Sequence, residues 1–135
     1  MVKILVVEDN IVNMKLAVLL LHKAGYSVLS AIDAEAGLTL AQTEQPDLIL
    51  MDIQLPGMDG LVATALLKQH LATRTIPVIA LTALAMKSDE DRCRDAGCDG
   101  YITKPLRYQE LLAEIKAQLA KRDHSLYSST EPNKE

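Results

Sequence analysis

The sequence alternates short apolar runs of four or five residues with longer stretches of mixed polarity. Nearly continuous apolar runs of this length are typical of strands that are buried on both faces of a parallel sheet. Strict alternation of strand and helix favours one sheet with helices on both faces, because crossovers between parallel strands are right-handed. The sequence therefore predicts an α/β fold of five βα units, with strands at Lys3 to Val7, Ser27 to Ala31, Asp47 to Met51, Val78 to Leu81 and Gly100 to Thr103.

The first two connecting segments carry clear helix signals. A helix is expected from 10 to 24, followed by Gly25, a residue type that often ends helices. Asp33 is expected to cap the second helix, which must end before Pro46. The apolar face of the first helix is predicted to consist of Val12, Leu16, Leu19 and Leu20.

The remaining helices are also marked in the sequence. A third helix is predicted to begin near Gly60, and a fourth to run from a Ser88 cap to Gly97. The fifth begins at 108 and ends near 121. Its apolar stripe has a spacing of three or four residues and consists of Tyr108, Leu111, Leu112, Ile115 and Leu119.

Length and patterning predict one domain of residues 1–122. The segment 123–135 is polar and has no helical period, so we expect it to be a disordered tail. No apolar stretch approaches the about 20 residues that a membrane span needs. The N-terminus also lacks the order of a signal peptide. The chain is therefore expected to be soluble and cytoplasmic.

Composition excludes several classes of ligand. The net charge of −4 provides no basic face for nucleic acid. The absence of Trp and Phe leaves no aromatic platform for stacking a flavin or a nucleobase. The spacing of Cys93 and Cys98 matches neither a redox pair nor a paired zinc-binding motif, so both are expected to be reduced thiols.

Polar residues stand where the predicted strands end. Glu8 and Asp9 follow the first strand, Asp52 the third, Thr82 the fourth and Lys104 the fifth. Because the carboxyl ends of parallel strands share one edge of the sheet, these side chains should meet there. Three carboxylates in one pocket repel one another unless a cation compensates them, and hard divalent ions prefer oxygen ligands. The sequence therefore predicts a Mg²⁺ or Mn²⁺ site.

Four segments together are similar to a known family. They are I-L-V-V-E-D-N at 4–10, D-L-I-L-M-D-I-Q-L-P-G-M-D-G at 47–60, P-V-I-A-L-T-A at 77–83 and Y-I-T-K-P at 101–105. Through them the chain, from residue 1 to about 121, resembles the receiver domains of two-component response regulators. The resemblance implies a flavodoxin-like, doubly wound parallel sheet with strand order 2-1-3-4-5.

The resemblance also implies roles for the acidic residues. Asp52 would be the phosphoacceptor, which takes a phosphoryl group from a phosphohistidine. Asp9, Asp52 and the backbone carbonyl of Gln54 would bind magnesium directly, and Glu8 would act through water. The partners would be a sensor or hybrid histidine kinase, or a histidine phosphotransfer protein.

Further residues match the family's switch. Lys104 would offset the charge of the transferred group, and Thr82 would donate its hydroxyl to it. Movement of Thr82 would let Tyr101 turn inward, and a cis peptide before Pro105 would direct Lys104 to the site. The output would leave through a face made of helix 4, strand 5 and helix 5, by contact with a downstream protein.

Two positions match those that tune the lifetime of the acyl phosphate in this family. They are Gln54 and Leu84, which stand two residues after Asp52 and Thr82. Neither is a carboxylate or an Asn that could orient an attacking water, so the phosphorylated form is expected to be long-lived.

Other functions are conceivable for such a chain. An aspartyl-phosphate hydrolase usually has a second acid at the position of Gln54, and a flavin-binding protein needs a phosphate-binding loop where Glu8 and Asp9 stand. A binding module that keeps the fold without phosphorylation is the main alternative. We expect a single-domain response regulator that assists its own phosphorylation and dephosphorylation and is not a turnover enzyme.

Overall fold

The computed structural model describes residues 1–83 and 86–130, with side chains described for all of these except 123–130. The described strands are Lys3–Val7 (β1), Ser27–Ala31 (β2), Leu48–Asp52 (β3), Val78–Thr82 (β4) and Gly100–Thr103 (β5). The described helices are Ile11–Lys23 (α1), Ala34–Glu44 (α2), Gly60–Gln69 (α3), Lys87–Ala96 (α4) and Tyr108–Thr130 (α5). All strand pairs are parallel and their order is β2-β1-β3-β4-β5, which confirms the predicted fold.

Two apolar cores lie on opposite faces of the sheet. Successive residues of a strand point to opposite faces, so Leu5 and Ile49 join one core, whereas Ile4 and Leu50 join the other. Every residue of β3 and β4 is buried. The central strands are therefore held firmly on both faces, and the polar residues at their carboxyl ends have fixed positions.

Helix α1 buries a face that only partly matches the one that the sequence predicted. Ala17 and Leu21 are buried against the sheet, and Met14 and Leu20 pack beside them. The exposed fractions are 73% for Val12 and 66% for Leu19, so these two members of the predicted face point to solvent. Because α1 is apolar on nearly all sides, its period does not define a face, and close packing of small Ala17 on the sheet decides the orientation.

One predicted helix cap is confirmed and another is not. Asp33 accepts a hydrogen bond from the Ala36 N–H at 2.8 Å, which confirms it as the cap of α2. Helix α4 begins one residue before Ser88, with Met86 at the cap position and no side-chain cap, so Ser88 is not the cap. The acidic first turn of α4, with Asp89 and Glu90, interacts favourably with the helix N-terminus instead.

Helix α5 is longer than predicted. It continues to Thr130, past the expected end near 121, and 131–135 lie outside the described residues. Neither Gly nor Pro occurs between Tyr108 and Pro132. A polar sequence without a helix breaker can continue an established helix, which must end before a proline.

The two cysteines pack at the end of α4. Gly97 has a left-handed conformation (φ 104°), and the Cys98 N–H donates to the Cys93 carbonyl at 3.0 Å. This hydrogen bond is typical of a helix that ends at a left-handed glycine. The side chains of the two residues that it joins often make an apolar contact. Both thiols are free, as predicted. Among the described residues, no helix combines the length and apolar character needed to cross a membrane.

Candidate functional site

The polar residues at the strand ends meet at one edge of the sheet, as predicted. Asp52 and Thr82 are the last residues of β3 and β4, and Glu8 directly follows β1. Their exposed fractions are only 2% for Glu8, 3% for Asp52 and 2% for Thr82, whereas Asp9 is exposed. Two acids are therefore buried side by side and a third lies at the mouth of the site.

Lys104 joins the two buried acids. Its ammonium nitrogen lies 3.1 Å from Glu8 Oε1 and 3.1 Å from Asp52 Oδ2. The backbone N–H of Lys104 donates to the Thr82 carbonyl at 2.7 Å, which extends the β4–β5 pairing by one residue. The peptide bond between Lys104 and Pro105 is cis, as the resemblance implied. The chain thus leaves β5 with Lys104 directed to the carboxylates.

Backbone donors fix the carboxylates. The Gln54 N–H donates to Asp52 Oδ1 at 2.9 Å, and the Asn10 N–H donates to Glu8 Oε2 at 3.3 Å. Asn10 also caps α1 by accepting from the Asn13 N–H at 2.9 Å. Each buried acid therefore has one oxygen held by the following loop and the other by Lys104.

Burial and charge change the pKa values of two groups. Desolvation of Glu8, and then its contact with Asp52, raise the pKa of Glu8, although Lys104 opposes the change. Burial lowers the pKa of Lys104, but the two carboxylates outweigh this effect and the pKa is raised overall. The ammonium is thus firmly charged, while ionisation of Glu8 carries an electrostatic cost.

The acidic residues fit a divalent cation. Glu8, Asp9 and Asp52 each offer a carboxylate oxygen, and these oxygens all lie within 4.8 Å of one another. When all three acids are ionised, their charges and that of Lys104 sum to about −2, which a divalent ion balances. Carboxylate oxygens are the ligands that Mg²⁺ and Mn²⁺ prefer.

Tyr101 lies beside the site on β5 and is half-buried. Its ring packs against the cluster that contains Ile53 and Cys93. Partial desolvation and the neighbouring Glu90 carboxylate, which its hydroxyl contacts, raise the pKa of Tyr101. Sequence analysis missed Glu90, because only the packing of α4 on β5 brings it to Tyr101.

The remaining residues of the predicted site are Gln54, Pro105 and Leu84. The Gln54 side chain and Pro105 are exposed. Leu84 lies outside the described residues. Gly60, which was not predicted to be part of the site, packs directly on the carbonyl oxygen of Asp52. A glycine next to a helix start is a recognisable signal, but the atom that it approaches follows only from the fold.

Comparison with known proteins identifies relatives of the whole domain. A family model described as the response regulator receiver domain matches residues 4–116. The polar-differentiation response regulator DivK of Brucella anthropi is 47% identical over 116 residues, which cover 86% of this chain and 94% of that protein. The protein of the same name from Brucella ovis is equally similar, with 47% identity over 116 residues.

Solved structures agree with the fold. The receiver domain of a sensor histidine kinase from Pseudomonas aeruginosa matches with a TM-score of 0.82 and 36% identity, over 87% of this chain and 97% of that one. That structure has a magnesium ion coordinated in its active-site cleft. A CheY-like receiver domain protein from Methanospirillum hungatei matches with a TM-score of 0.83 and 30% identity, over 93% of this chain and 98% of that one.

Proposed function

Because the chain belongs to the response regulator receiver domain family, we propose that it is a phosphorylation switch in which Asp52 accepts a phosphoryl group. The observation that carries the proposal is the position of the Lys104 ammonium, 3.1 Å from both Glu8 and Asp52, beside a group of three carboxylates. A buried carboxylate of this kind is already a nucleophile, so the protein needs mainly to offset negative charge.

The proposed step transfers a phosphoryl group from a phosphohistidine. An oxygen of Asp52 attacks phosphorus, a new P–O bond forms, the P–N bond breaks, and the departing imidazole takes a proton from solvent. Lys104 stabilises the charge on the phosphoryl oxygens, and Thr82 donates its hydroxyl to one of them. The backbone N–H of Gln54 restrains Asp52 at 2.9 Å during the attack.

Glu8, Asp9, Asp52 and the backbone carbonyl of Gln54 would hold Mg²⁺ or Mn²⁺, with Glu8 acting through water. When bound, the ion neutralises the carboxylates and offsets charge on the incoming phosphoryl group. The oxygen-only donor set and the separation of at most 4.8 Å support this assignment. The magnesium ion in the receiver domain from Pseudomonas aeruginosa supports it further.

Membership of the family supports a proposal for the partners. We propose a histidine kinase or a histidine phosphotransfer protein as the phosphoryl donor, in the cytoplasm. The chain would assist its own phosphorylation and dephosphorylation without turning over another substrate. A binding module that works without phosphorylation is less favoured. Such a module would not need a lysine that contacts two buried acids, as Lys104 contacts Glu8 and Asp52.

The output surface is proposed to be the face formed by α4, β5 and α5. A groove of about 710 Å³ runs along β5 and α5 there, with Tyr101, Lys104 and Glu110 among the residues that line it. Because Lys104 contacts Asp52 and also lines this groove, a change at Asp52 has a short route to the surface. Inward rotation of Tyr101 would break its contact with Glu90.

Beryllofluoride, a phosphoryl mimic, tests the proposed switch. In the presence of Mg²⁺ it is expected to give saturable NMR shifts at Thr82, Tyr101 and Glu90, because the mimic bound at Asp52 draws Thr82 and frees space for Tyr101. Asp52→Asn should show none of these changes. Shifts of equal size in Asp52→Asn would contradict the assignment of Asp52.

A second prediction concerns the lifetime of the phosphorylated form. Gln54→Asn is expected to shorten the half-life several-fold, because a shorter amide can orient water towards the acyl phosphate. The measurement is loss of the phosphoryl group over time in excess Mg²⁺, with Gln69→Asn on the far end of α3 as the matched control. Decay of the wild type within seconds would refute the long-lived state.

A further inference from the structure

A second polar pocket lies at the opposite edge of the sheet from Asp52. It has a volume of about 320 Å³ and opens between the segment before β4, the start of β5 and the C-terminal half of α5. The charged residues that line it are Lys68, Arg74, Asp99, Lys121 and Arg122. Four cations and one acid therefore surround this pocket, in a chain whose net charge is −4.

One of the four cations has a structural role. The Lys68 ammonium donates to the carbonyls of Arg74 at 3.3 Å and Ile76 at 2.8 Å, and to Asp99 Oδ2 at 2.8 Å. These three contacts use its three N–H donors. Asp99 is also held by the Val78 N–H at 2.8 Å, so this pair forms a neutral, rigid wall of the pocket.

The other cations are incompletely paired. Arg122 donates to the Asp47 carbonyl at 3.1 Å, and its ion pair with Asp47 Oδ1 is long at 3.7 Å. Its Nε is buried and has no hydrogen-bond partner among the described atoms. Within the described side chains, Arg74 and Lys121 take part in no ion pair. The pocket thus concentrates positive charge, and the charges of Arg74 and Lys121 are not balanced by a described acid.

We propose that this pocket is an anion site for a phosphate group, either inorganic phosphate or a small phosphate monoester. Guanidinium groups match phosphate oxygens because their N–H donors lie in one plane and bind two oxygens at once. Arg74 and Lys121 provide the uncompensated charge, and Arg122 adds a further positive charge to the lining. The volume lies at the lower end of the range for small-molecule sites, which leaves room for the group and a short ester chain.

The test is an NMR titration of the full chain in EDTA at constant ionic strength. Inorganic phosphate and glycerol 3-phosphate are the two ligands, and the backbone amides of Thr75 and Asp99 report on the pocket. We expect saturable shifts there. Arg74→Gln and Lys121→Gln should each weaken binding about tenfold, the loss of one charge-assisted hydrogen bond.

Lys116→Gln is the matched control, because it removes the same charge from an exposed position of α5 that does not line the pocket. Unchanged unfolding in urea will show that the variants remain folded. Tighter binding of one ligand will identify the free ion or the ester as the source of the phosphate group. Non-saturable shifts, equal weakening by Lys116→Gln, or shifts centred on Asp9 and Asp52 would overturn the proposal.

Discussion

Replacing Lys104 by alanine is expected to cause a large loss of both stability and phosphorylation. In the metal-free protein the free energy of unfolding should fall by about 2 to 3 kcal/mol near neutral pH, because two buried carboxylates lose their cation. This value is below that for a fully buried pair, since 20% of the Lys104 side chain is exposed. Phosphorylation of Asp52 should slow by about a hundredfold, as when one charge-stabilising donor is removed.

The shifted pKa values of Lys104 and Glu8 predict how this loss of stability depends on pH. Because the pKa of Lys104 is raised, its stabilising effect is present below its ordinary pKa and is lost only as pH rises through the higher folded value. The raised pKa of Glu8 means that the fold loses stability as pH rises from the ordinary pKa of Glu8 through its folded value. Without Lys104, Glu8 should retain its proton to higher pH. The difference in unfolding free energy between the wild type and Lys104→Ala should therefore be smaller at acidic pH.

Urea unfolding in EDTA, near pH 7 and near pH 5, measures both effects. Lys15→Ala is the matched control, because Lys15 is an exposed lysine of α1 with no ion pair among the described residues. It should unfold as the wild type does at either pH. A Lys104→Ala protein with unchanged stability near neutral pH would contradict the electrostatic account of the site.

Gly60→Ala is the second change for which we expect a large effect. A Cβ at this position would overlap the carbonyl oxygen of Asp52 and would lie 2.8 Å from the Ile53 Cα. These are backbone atoms at the end of β3, so the start of α3 or the end of β3 must move. We expect a loss of about 3 kcal/mol in stability, the upper range for overpacking, together with slower phosphorylation because Asp52 is displaced.

Gly57→Ala provides the control within the same loop. Gly57 has a φ of 73°, and a Cβ there would meet nothing within 4 Å. Its substitution carries only the cost of a left-handed conformation, about 1 kcal/mol. Thermal unfolding and phosphorylation of both variants are the measurements. Equal effects of the two substitutions would show that the close approach to Asp52 is unimportant.

The topology and the site edge could be predicted because both depend on local patterns. Apolar runs marked the strands, and parallel pairing then required Asp52, Thr82 and Lys104 to meet at one edge. Caps with a specific side chain, such as Asp33, were also recognisable. These features depend only on the order of the residues and on the spacing of the apolar ones.

Features that depend on packing between elements could not be predicted. The buried face of α1 was predicted only in part, because the period of an almost wholly apolar helix does not define which side meets the sheet. The contact of Glu90 with Tyr101 depends on how α4 lies on β5. The basic pocket brings together Arg74 and Lys121, which are far apart in the sequence and belong to no motif. Helix α5 passed its predicted end because loss of an apolar stripe does not stop a helix.

The most direct test of the phosphoacceptor is the intact mass of the protein after incubation with Mg²⁺ and either acetyl phosphate or phosphoramidate. The wild type is predicted to gain one phosphoryl group. Asp52→Asn should gain none, whereas Asp95→Asn, which changes an exposed acid of α4, should gain one. If Asp52→Asn gains as much mass as the wild type, or if the wild type gains none from these donors and none from a phosphorylated histidine phosphotransfer protein, Asp52 is not the phosphoacceptor.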